Sequence, residues 1–118
     1  MTYTYRILGE PLVHIQGQEG KLRSWTTYKQ NKTYYEITVE AQHDDRPKLQ
    51  GPLSVEIHLY QKEGWGKNDI SSYSRFVEHI LADIVYNNYQ NITDLISHRI
   101  RVKKDPCTII YVTEIEKE

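Results

Sequence analysis

The residues of this chain with the most obvious chemical potential are oxygen-bearing acids and amides, and a small set of cations. The run Asp69-Ile70-Ser71-Ser72 sets one carboxylate beside two hydroxyls. The group is good N-cap chemistry, so Asp69 reads as the start of a helix. Arg99, Arg101 and Lys103 alternate along one strand face. They could follow a nucleic-acid backbone or coat a solvated surface. Trp65, between two glycines, could stack on an unpaired base or cover the edge of a core. His14, His43, His58, His79 and His98 show none of the usual zinc-ligand spacings, so a transition-metal site is not expected. His58 and His98, each within a strand pattern, read as packed or surface histidines. There is no nucleophile motif, no phosphate-cradling glycine loop and no dinucleotide fingerprint. The lone Cys107 reads as a small apolar residue.

Those residues need a scaffold, and 118 residues suffice for one modest core. We read residues 1-118 as a single domain without repeats or linkers. A composition of 38% hydrophobic and 26% charged residues argues against disorder. No apolar run could span a bilayer, the first residues lack a signal-like pattern, and one cysteine cannot form an internal disulfide. The expectation is an intracellular protein with no membrane partner. With 15 Lys and Arg against 16 Asp and Glu, the formal charge of −1 weakens a nucleic-acid reading without excluding one basic face. The 10 tyrosines suit packing, a protein interface or base stacking alike.

Tyr3, Tyr5 and Ile7 alternate with polar residues and predict an opening strand that ends at Gly9-Glu10-Pro11. A long polar loop is expected from there to about Thr27. Leu53, Val55, Ile57 and Leu59 predict a half-buried strand behind Gly51-Pro52. Tyr73, Phe76, Val77, Ile80 and Ile84 fall at helical spacing after Asp69. Ile96 to Val102 and Thr108 to Ile115 are expected as the two arms of a hairpin, turning at Lys103-Lys104-Asp105-Pro106. Residues 29–42 fit two patterns: alternation of Tyr35, Ile37, Val39 and Ala41 slightly favours a strand, whereas Tyr34, Ile37 and Ala41 would form one helical stripe.

Taken in order, several segments resemble the RusA-like Holliday-junction resolvases. Gly9-Glu10-Pro11 is similar to the family's Gly-x-Pro turn, and Trp25-Thr26-Thr27-Tyr28-Lys29 to the stretch leading into its first helix. Gly51-Pro52-Leu53-Ser54-Val55-Glu56-Ile57 resembles its Gly-Pro-hydrophobic-x-Val-x-Ile strand. Asp69-Ile70-Ser71-Ser72-Tyr73-Ser74-Arg75-Phe76-Val77 resembles the signature Asp-Leu-Asp-Asn-Leu-x-Lys-x-hydrophobic, and Asn87-Asn88-Tyr89-Gln90 its later Asp-Asp-x-Gln loop. The resemblance implies an α+β fold, a small mixed β-sheet with two helices in the order β-α-β-α-β-β, and favours a helix over residues 29–42, which we follow. It further implies a homodimer that binds branched DNA and cuts phosphodiesters with Mg²⁺ held by aspartates.

The match departs where chemistry matters most. Of the signature acids only Asp69 remains; Ser71, Asn87 and Asn88 stand where further aspartates would be. One carboxylate with neutral amides would hold Mg²⁺ weakly, because charge count largely sets affinity for a hard cation. Asp83, Asp94 and Glu78 are the alternative acids, Glu78 lying one helical turn past Arg75. By resemblance Asp69 and Arg75 are the catalytic candidates, and Asp69, Asn87 and Asn88 the metal candidates. Lys21, Arg23, Lys67, Arg75, Arg99, Arg101 and Lys103 are the DNA-binding candidates. The leading expectation is a junction-binding protein with absent or reduced nuclease activity. An active Mg²⁺-dependent endonuclease with a rearranged acid set, and a fold reused to bind a protein partner, are the alternatives.

Overall fold

The elements follow in the order β1 (Thr2–Leu8), α1 (Lys21–His43), β2 (Leu53–Lys62), α2 (Ile70–Leu81), β3 (Ile92–Val102) and β4 (Cys107–Glu114), with a 3-10 turn at Tyr89–Asn91 before β3. This computed structural model describes residues 1–11, 21–63, 69–87 and 89–115, with backbone alone for 21–27 and 89. Among the described residues the result is an α+β fold: one four-stranded mixed sheet and two helices.

The sheet order is β1-β4-β2-β3. β4 runs antiparallel to both β1 and β2, while β2 and β3 are parallel and joined through α2. The expected β3–β4 hairpin is therefore corrected. The turn after Val102 carries the chain past the end of β2, and β4 enters between β1 and β2. Burial accounts for this. β4 buries Cys107, Thr108, Ile110 and Val112, whereas β3 has no fully buried residue and carries Asp94, His98, Arg99 and Arg101. A polar strand tolerates a sheet edge, and an apolar one gains by neighbours on both sides.

Alternation in β2 is complete: Leu53, Val55, Ile57, Leu59 and Gln61 are buried and the residues between them are partly exposed. The register aligns Tyr5, Ile110, Ile57 and Ser97 in one row. Tyr5 meets His43 of α1, and Ser97 meets Ser74 of α2, so both helices cover the same face. The other face carries Glu56, His58, Tyr60 and their cross-strand neighbours.

α2 buries Tyr73, Phe76, Val77 and Ile80 as its spacing predicts, and Leu81 besides, but Ile84 lies beyond its end in a turn. α1 is helical from Lys21, so residues 21–27 are not the loop expected there. Its buried stripe also differs from expectation. Tyr35, Val39 and His43, at intervals of four, face the sheet, while Tyr34 and Ile37 are 44% and 62% exposed. Polar partners explain the choice. Tyr35 Oη meets Thr108 Oγ1 at 2.9 Å, and Tyr5 Oη donates to His43 Nδ1 at 2.7 Å, leaving His43 Nε2–H to donate to the Pro47 carbonyl. Burial pushes the Tyr5 hydroxyl up to about 12 and raises Tyr35 further.

Candidate nucleic-acid interface

At the C-terminal ends of β2 and β3, elements distant in sequence bring charged and polar groups together. β1 ends there in Gly9-Glu10, with Gly9 N–H donating to the Pro106 carbonyl at 2.8 Å. Gly9 has φ +89, a left-handed conformation that glycine adopts without strain. Glu63 N–H donates to the Val102 carbonyl, tying β2 to the turn that carries exposed Lys103 and Lys104. Asn31 of α1 donates to the Glu10 carbonyl. From Asn31 the helix continues about 15 Å further toward Lys21, at 1.5 Å per residue. Lys21 and Arg23 thus lie on the part of α1 that leads away from Glu10.

The register sets Arg99 opposite Leu59 and Arg101 opposite Gln61, on the helix-covered face. They therefore belong to an edge strand rather than to a hairpin arm, and Arg101 and Lys103 remain exposed. The Arg99 guanidinium lies 5.5 Å from the centre of the Tyr73 ring, a cation–π geometry supplied by the first turn of α2. Arg101 Nη1 donates to the Lys62 carbonyl at 3.3 Å and is exposed. Lys103 stands past the end of the strand, in the turn. Gln61 is fully buried here, and its amide has no hydrogen-bond partner among the described residues. Burial raises the Glu10 carboxyl above the usual range, against the pull of the Lys62 backbone N–H and the charges of Arg101 and Lys62. Glu10 and Tyr73 were legible only as turn and core residues; their meeting with Arg101 and Arg99 is long-range.

Asp69 occupies the N-cap position of α2 in an extended conformation. Its backbone carbonyl accepts from Ser72 N–H, but its side chain makes no capping bond. Arg75 is exposed six residues further on. Asn87 lies beyond the opposite end of α2, whose 12 residues span about 18 Å. The fold does not bring Asn87 to Asp69. Lys67, Trp65, Asn88 and His14 lie outside the described residues. The donor set does not fit Mg²⁺ within one chain. The ion wants near-octahedral oxygen ligands at about 2.1 Å, and Asp69 brings one charge with no second signature carboxylate beside it. Glu78 and Asp83 belong to the C-terminal end of α2 and the turn after it, not to the Asp69 end.

On the sheet face opposite the helices, His58 is partly buried and His98 exposed, and the register brings them beside a third side chain. Glu56 and His58 stand two apart on β2, and His98 lies directly across from His58 on β3. His58 Nε2 is 2.5 Å from Glu56 Oε2, and the two imidazoles meet edge-on with centroids 5.1 Å apart. One ligand atom from each of the three lies within 4.8 Å of the others. The Glu-x-His spacing on a strand was the available signal; the third member was hidden until strand order was known.

No protein-family model matches the chain, and no curated protein matches its sequence. Among the described residues, no helix is long and apolar enough to cross a membrane.

Proposed function

We propose that this chain is a RusA-like protein that binds branched DNA of the Holliday-junction type, as a homodimer, with nuclease activity absent or reduced. The observation that carries the reading is the gathering of Arg99, Arg101, Lys62, Lys103 and Lys104 at one end of the sheet, beside Asp69 and Tyr73 at the start of α2. Phosphate contacts need cations presented together, whatever the net charge, and these only narrowly outnumber Glu10, Glu63, Asp69 and Asp105 at the same end. A net charge of −1 does not exclude it, because phosphate contact depends on the cations at one surface rather than on the sum over the chain. Reduced cutting follows from the poor Mg²⁺ donor set.

The test is a low-salt incubation of the chain with an end-labelled four-way junction and Mg²⁺, resolved on native and denaturing gels. The reading expects a shifted, uncut junction, and equal or tighter binding by Asp69→Asn, which removes a negative charge near phosphate. Symmetric nicks that vanish in Asp69→Asn would replace it with a working resolvase. No shift at any salt concentration would overturn DNA binding and point to a protein partner. Light scattering that finds only monomer would remove the dimer.

A further inference from the structure

We infer that Glu56, His58 and His98 form a binding site for a divalent transition-metal ion of the zinc class, on the sheet face opposite the helices. The site is separate from the Mg²⁺ chemistry considered above, and nothing in the DNA-binding proposal requires it.

Three properties carry the inference. The first is placement. Alternation along β2 sends Glu56 and His58 to the same side, and the parallel register sets His98 beside His58 on β3. The backbone of two hydrogen-bonded strands thus fixes the three ligand origins. The second is distance. The ligand atoms lie within 4.8 Å of one another. Around a tetrahedral ion with ligands at 2.0–2.2 Å, neighbouring donors are separated by roughly 3.4 Å. Small side-chain rotations reach that geometry: His98 is drawn in, and the 2.5 Å contact of His58 with Glu56 opens to admit the ion. The third is donor type. Two neutral imidazoles and one carboxylate suit zinc and its neighbours rather than Mg²⁺ or Ca²⁺, which favour all-oxygen shells.

The surroundings permit an ion to enter. The side chains of His58 and Glu56 retain 23% and 42% of their exposure, and His98 is exposed on an edge strand. The Tyr111 ring packs 5.2 Å from His58 on the β4 side and limits how that imidazole can turn. Three protein ligands leave a fourth position for water or an exchangeable ligand.

The experiment is isothermal titration of the metal-free full chain with Zn²⁺, alongside visible absorption of the Co²⁺-loaded protein to report coordination. We expect one ion per chain, Co²⁺ bands of a four- or five-coordinate site, and no displacement by excess Mg²⁺. His98→Ala and Glu56→Gln, both at partly or fully exposed positions, should each weaken Zn²⁺ binding by about tenfold or more. His79→Ala, at an exposed position of α2, and Asp69→Asn should leave it unchanged. Circular dichroism of each variant separates a lost ligand from a lost fold. No saturable binding, or equal affinity in the folded His98→Ala protein, overturns the site. Junction binding that persists in His98→Ala keeps the two proposals distinguishable.

Discussion

Glu10 shows how one side chain can couple stability and binding. Its carboxyl is raised above the ordinary range chiefly by burial, so between its unfolded and folded values the folded protein holds more protons than the unfolded chain. Stability therefore falls as pH rises through that window. Glu10→Gln should remove this slope, seen as a flatter dependence of the urea midpoint on pH from the carboxylate range to neutrality. The same substitution deletes a negative charge beside Arg101 and Lys62, so junction binding at neutral pH should tighten; weaker binding would separate Glu10 from the basic end. Arg99 makes the complementary case. Removing it with Arg99→Ala loses both a cation and its packing on Tyr73. Junction affinity should fall with a salt slope reduced by about 1, measured by titrating the shift across salt concentrations. A slope left unchanged would mean that Arg99 serves packing alone.

At the level of elements, the exposed edge of β1 is closed by a side chain. Gln42 of α1 accepts from Arg6 N–H at 2.8 Å and donates to the Arg6 carbonyl at 2.6 Å, imitating the pairing of another strand. Tyr34 Oη donates to the Leu8 carbonyl on the same edge. An unpaired strand edge invites association with another chain. Gln42→Ala should cost about 1 kcal/mol in chemical denaturation, the net worth of exposed hydrogen bonds, and should increase concentration-dependent association in light scattering. The other edge, β3, is guarded differently, by Asp94, His98 and Arg101 projecting from it. Strand polarity thus does two jobs in β3: it keeps the edge soluble and presents cations at the end of the sheet.

For the whole molecule, Arg99, Arg101, Lys62, Lys103 and Lys104 gather at the end of β2 and β3, an end they share with Glu10, Glu63, Asp69 and Asp105. If four or five of the cations at the β2–β3 end engage phosphates, log affinity should fall against log salt with a slope of about −4. That amounts to about a 250-fold loss between 50 and 200 mM salt, measurable by fluorescence anisotropy with a labelled junction. A slope near zero would exclude phosphate contact as the source of affinity. Burial of the helix-side rows sets the platform for this. Ile57, with no exposure at the centre of β2, should cost about 2–5 kcal/mol when replaced by alanine, read from denaturant midpoints.

The sequence by itself determined what depends on neighbours along the chain. Alternation defined β1 and β2, three-and-four spacing defined α2, and Asp69 marked its start, because side-chain direction follows directly from backbone period. It was less decisive for α1, where Ile37 fits a strand pattern yet points to solvent and the buried Tyr35–Val39–His43 stripe depends on partners in β1 and β4. Only the tertiary structure decided that β4 lies between β1 and β2, that Arg99 rests on Tyr73, and that His98 joins Glu56 and His58. Each depends on which distant segments bury the most apolar surface together, a competition across the whole chain that local spacing does not encode.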